Sequence, residues 1–173
     1  MGNPAGGAPV SDPLSELEQS IVDNVAKHGC FIMSVFDPEG LEPEFSYSIG
    51  FEETTGQNEV IVFSLPKNLR ASMINEIWRQ MSERGLRLSD GTEIFDLLEG
   101  YRCIARQVTS QEAIRENFGS AIWYNRRFGE REITLAYQIV WPGARQGLFP
   151  WDNGCVQEVI DDQPALYEMG VVQ

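Results

Sequence analysis

The closest pairing of an imidazole with a thiol in this chain is His28 and Cys30, with one residue between them. In a strand two such residues face the same side, and a histidine beside a thiol lowers its pKa toward a reactive thiolate. His28 also falls at the end of an expected helix, where an imidazolium meets the helix dipole and the last carbonyls. The structural role is the expectation. Three cysteines, at 30, 103 and 155, form no Cys-x-x-Cys pair, so neither a disulfide framework nor a zinc knuckle is expected. The thiols read as small buried hydrophobes of a reduced, cytoplasmic protein. A single histidine leaves a zinc or iron site without its usual ligands, and no Asp-x-Asp-x-Asp-Gly loop is present. No metal and no cofactor are expected. Phosphate-cradling glycine loops and a Gly-x-Ser-x-Gly elbow are missing too.

Aromatic and charged residues carry the remaining signals. Tyr47, Trp123, Tyr124, Trp141 and Trp151 suit the walls of a pocket or interface, because a buried tyrosine or tryptophan needs a partner for its polar tip. With His28, and with Arg126 from the Arg126-Arg127 and Arg131 knot, they form a candidate small-molecule site, since arginine forks suit carboxylates and phosphates. Between Lys27 and Lys67 lie seven acids and no base. Glu42, Glu44, Glu52 and Glu53, joined by Asp152 in the Phe149-Pro150-Trp151-Asp152 loop, form a candidate surface for a basic protein partner. A pair of such carboxylates in one cleft could also divide acid and base roles.

Composition bounds these readings. The chain has 173 residues and a net charge of -13, from 26 acids against 13 Lys plus Arg. That balance opposes a nucleic-acid or anionic-membrane partner. A hydrophobic content of 42% is ordinary for a globular domain, and Val60–Leu65, the longest strongly apolar run, is too short to span a bilayer.

The elements that must position these residues follow from periodicity. Asp12-Pro13 reads as a helix start and Leu14, Leu17, Ile21 and Val25 as its apolar stripe, stopped by Gly29. Cys30–Phe36 reads as a buried strand. In residues 44–51 Phe45, Tyr47 and Ile49 alternate with Ser46, Ser48 and Gly50, which predicts a strand with one packed face and one of small polar residues. Glu59–Phe63 reads as a central strand, followed from Pro66 by a helix closed at Gly85. Residues 86–100 are ambiguous. Tyr101–Val108 is a strand, Thr109 and Glu112 suggest a capping box for a helix running to Gly129, and Ile133–Trp141 is the last strand.

His28-Gly29, Tyr47-Ser48-Ile49-Gly50, Glu59 to Pro66, Gln138-Ile139-Val140-Trp141-Pro142 and Phe149-Pro150-Trp151 occur in that order. Together they resemble the bacterial family called domain of unknown function 4262, over roughly residues 20–155. Members often differ where Ser48 and Ser64 stand, and carry an acid where Gly143 stands. The resemblance implies a small cytosolic bacterial domain and imports no reaction.

The expected architecture is therefore α+β: one domain, a largely antiparallel sheet of about five strands and three main helices. Residues 1–11 read as a flexible leader, 12–155 as the domain and 156–173 as an acidic segment with a short turn near Pro164–Met169. The expected function is a binding module for a protein partner, of an immunity-like kind. The alternative is a small-molecule-binding domain or enzyme with an aromatic-lined pocket.

Overall fold

The computed structural model describes residues 12–170, so the expected leader lies outside the described residues. Helix α1 (Glu16–His28) starts at Ser15 rather than at Asp12. Ser15 Oγ accepts the Glu18 N–H at 3.1 Å, and Glu18 Oε1 accepts the Ser15 N–H at 2.9 Å. This reciprocal box satisfies two end donors at once, where a lone Asp12 cap would satisfy one. Gly29 ends the helix at φ +90, and a Cβ there would fall inside the Trp78 indole. Only glycine fits both constraints.

Among the described residues six strands form a single sheet in the order β1-β2-β3-β6-β5-β4. They are β1 (Phe31–Val35), β2 (Phe45–Ile49), β3 (Val60–Phe63), β4 (Glu93–Leu98), β5 (Tyr101–Val108) and β6 (Ala136–Val140). Two antiparallel meanders lie side by side, joined by the one parallel pair, β3 with β6. The largely antiparallel α+β class matches the expectation. The strand count is one higher, because residues 93–98 form the edge strand β4, which periodicity left ambiguous. Strand β1 is an edge strand, half-buried rather than buried.

Among the described residues six α-helices cover the sheet, against the three main helices expected: α1, α2 (Phe51–Thr55), α3 (Lys67–Arg84), α4 (Gln111–Asn117), α5 (Gly119–Tyr124) and α6 (Gln157–Asp161). Met73, Ile74 and Ile77 of α3 pack with Val60, Val62, Cys103 and Ile139 on one face. Ile21 and Val25 of α1 pack with Ile49, Ile61, Ile114 and Phe118 on the other. The helix expected from Thr109 to Gly129 is in fact three pieces. Its cap is Ser110, whose Oγ accepts the Ala113 N–H at 3.1 Å, one residue later than expected. It breaks at Phe118, and after α5 the chain widens into a π-helical turn at Asn125–Gly129. The C-terminal segment packs on the sheet: Gln163 pairs with both the N–H and the carbonyl of Trp141, at 3.0 and 2.9 Å.

Candidate functional site

Strand β2 has no solvent face. Ser46 and Ser48 are fully buried, because each serves a buried ionisable group. Ser46 Oγ accepts from Arg70 Nε at 2.8 Å and shares a hydrogen bond with Ser34 Oγ of β1, also at 2.8 Å. Ser48 Oγ donates to Glu59 Oε1 at 2.7 Å and accepts the Val60 N–H at 2.9 Å. Glu59 in turn accepts the N–H groups of Phe51 and Glu52, both at 3.2 Å. It thereby caps α2, whose own N-cap, Gly50, has no side chain to offer. Full burial pushes the Glu59 carboxyl up to about 8, against the pull of its three donors. Glu59 is sealed from solvent, so it holds backbone together rather than meeting a substrate.

Arg70 is 1% exposed and braces the turn after β3. Its guanidinium donates to the carbonyls of Leu65 at 2.7 Å and Ser64 at 3.4 Å. Those two residues are consecutive in the left-handed region, at φ 61 and 54. For non-glycine residues that conformation costs about 1–2 kcal/mol each.

The sequence-derived candidates separate into distinct places. Tyr47, Trp123, Tyr124 and Arg126 lie on the α1 face of the sheet or beside it, but the polar tips of Tyr47, Tyr124 and Arg126 are engaged. Tyr47 Oη accepts the Ser120 N–H at 2.9 Å, Tyr124 Oη donates to Glu53 at 3.0 Å, and Arg126 pairs with Glu132 at 2.8 Å. Trp123 and Arg126 line a shallow depression, with Tyr124 behind them. In the same wide turn Asn125 is buried with its Nδ2 unpartnered, for which the fold offers no explanation. Trp141 belongs to the opposite face, where its indole donates to the Phe63 carbonyl at 2.9 Å. Trp151 stacks on Phe149 at 5.3 Å and under Arg106 at 4.7 Å, covering β5. The aromatic set does not share one cleft. His28 sits on the exposed end of α1, while Cys30 is buried with its thiol pushed up to about 12 by desolvation, the reverse of nucleophile activation.

The acids divide as well. Glu42 and Glu44 stand at the β1–β2 loop, and Glu52 and Glu53 beyond the other end of β2, about 17 Å away along the strand. Glu52 faces Arg131 at 4.0 Å, and burial raises its carboxyl. Glu53 is taken by Tyr124. Asp152 closes its own loop by accepting the Phe149 N–H at 2.8 Å.

Sequence reasoning missed the surface that the β1–β2 hairpin creates. Among the described residues nothing pairs with the outer edge of β1. Its residues Phe31-Ile32-Met33-Ser34-Val35 include no charge, no proline and no bulge. The opposite edge, β4, carries the usual deterrents to pairing: a bulged register, Asp96 at φ 69, and ion pairs from Glu93 to Arg102 and Asp96 to Arg84. At the loop beside β1, Asp37 accepts the N–H groups of Glu39, Leu41 and Glu42, each at 3.0 Å. These bonds hold its carboxyl below the usual range. The loop so tied leaves Phe36 66% and Leu41 77% exposed, with the exposed acids Glu39 and Glu42 in the same loop, whereas Glu44 pairs with buried Arg70 at 3.7 Å. The signal in the sequence was the uncharged strand followed by the acids Asp37, Glu39, Glu42 and Glu44.

Among the described residues no three His, Cys, Asp or Glu side chains come together as a metal site, and no helix is long and apolar enough to cross a membrane. The fold defines a single-sheet α+β domain. The family model described as domain of unknown function (DUF4262) matches residues 24–156, and the chain belongs to that family. No curated protein and no solved structure matches it.

Proposed function

We propose that this domain is a protein-binding module that takes up an extended, basic segment of its partner along the outer edge of β1. The single observation behind this reading is the contrast between the two sheet edges: β4 is bulged and charged, whereas β1 is regular, uncharged and open. An added strand would extend the backbone ladder and set alternate side chains over the two faces. Phe36 and Leu41 would supply apolar contact at the loop end. Glu39 and Glu42 select for lysine or arginine in the segment, and a net charge of -13 speeds its approach while discouraging a second copy of this chain.

A synthetic nonapeptide alternating lysine and valine tests the reading by titration calorimetry. Saturable binding that weakens with added salt is expected, with about tenfold loss in the double variant Glu39→Lys, Glu42→Lys. Reversal of Glu52 and Glu53 should leave affinity unchanged. Equal binding of a glutamate–valine peptide, or no binding of either, would overturn it.

A further inference from the structure

We infer that a second site, independent of the β1 edge, binds a small apolar amine at the end of the parallel strand pair. A cavity of about 310 Å³ opens beyond the C-terminal ends of β3 and β6, lined by Leu65, Leu69, Leu98, Tyr101, Trp141 and Glu99. Crevices outside the carboxyl ends of neighbouring parallel strands are where open sheets receive ligands. The volume matches the lower end of small-molecule sites, the size of one ring with a short chain.

A further observation separates this cavity from an ordinary surface dimple. Its wall includes Leu65, the second of two adjacent left-handed residues, and the fold spends several bonds to keep them there. The Ser64 N–H donates to the Glu44 carbonyl at 2.7 Å, Ser64 Oγ donates to the Asp162 carbonyl at 2.7 Å, and buried Arg70 holds the Leu65 carbonyl. Maintained strain of this kind clusters at ligand clamps.

The polar groups of the lining then select the ligand. Trp141 Nε1 is committed to Phe63, and Tyr101 Oη donates to the Ala144 carbonyl at 2.7 Å. No described residue pairs with the exposed carboxylate of Glu99. The cavity therefore offers leucines for an apolar body, two aromatic rings and one carboxylate for a cation, and no uncommitted side-chain donor for an anion among its lining residues. An ammonium on a phenyl or short alkyl body satisfies all three.

The test is NMR titration of the full chain with 2-phenylethylamine, following the Trp141 indole N–H. Saturable shifts at Trp141 and the cavity leucines are expected. Ethylbenzene and 3-phenylpropionate should bind at least about tenfold more weakly, the loss expected for one charge-assisted contact. Glu99→Gln should weaken the amine about tenfold and leave ethylbenzene unchanged. Leu69→Trp, or Ala144→Trp if the first variant melts early, should abolish amine binding by filling the space. Shifts confined to other surfaces, no saturation, or equal affinity for amine and acid would overturn the inference. The lysine–valine peptide result is unaffected either way.

Discussion

Ser48 Oγ lies 2.7 Å from Glu59 Oε1, and both residues are fully buried between the two helical layers. The serine orients the carboxyl, the carboxyl caps α2, and α2 closes the end of the β1–β2 hairpin, where Thr54 Oγ1 donates to the Gly29 carbonyl. A buried polar chain thus fixes the strand whose partner, β1, offers the open edge.

Stability should therefore depend on pH in a specific window. The Glu59 carboxyl rises from its ordinary value of 4.5 to about 8 on folding, so the folded chain holds a proton that the unfolded chain has released. That contribution is complete below about pH 4.5 and is lost as pH rises through about 8, at up to about 1.4 kcal/mol per pH unit. Glu59→Gln should flatten this part of the profile. It should also lower stability near pH 5 by about 1–2 kcal/mol, because its amide nitrogen would oppose the Glu52 N–H. Urea unfolding from pH 5 to 8 measures both, and an unchanged slope in the variant would contradict the assignment.

Arg70→Met tests the brace on the strained turn. It retains side-chain bulk but leaves the Ser64 and Leu65 carbonyls and Ser46 Oγ without their donor. A loss of about 3 kcal/mol in chemical unfolding is expected, together with loss of 2-phenylethylamine binding below the melting temperature.

Gly29→Ala should be among the most damaging single substitutions. It adds a methyl where the indole of Trp78 sits and forces an L-residue to φ +90. More than about 3 kcal/mol of destabilisation is expected by thermal unfolding, and Trp78→Ala should recover only the steric part.

Much of the fold was legible because period and punctuation agree. The Ile21 and Val25 half of the α1 stripe, the run Val60–Phe63 and the Pro66-to-Gly85 helix fall where the sequence places them, whereas Leu14 precedes the helix and Leu17 is exposed. Strand β4 was obscure because its apolar residues are interrupted by Asp96, which marks the irregular register there. Helix α2 was hidden in a polar stretch, since its cap comes from Glu59, seven or eight residues downstream rather than from a neighbour. Ser46 and Ser48 were visible as a small polar face. Their burial was not, because it depends on Arg70 and Glu59 arriving from other elements. The aromatic residues were legible as a set, but strand parity sends Trp141 and Tyr47 to opposite faces.

The central claim concerns the outer edge of β1, and amide hydrogen exchange across Phe31–Val35 tests it most directly. In the protein alone, the outward N–H groups of this strand should exchange much faster than those of the interior strand β3. With the lysine–valine peptide at saturation they should slow by about a hundredfold or more, while exchange at β4 stays unchanged. Protection that appears at β4 or on a helix face, or β1 amides that exchange as before while the peptide is bound, would contradict the account.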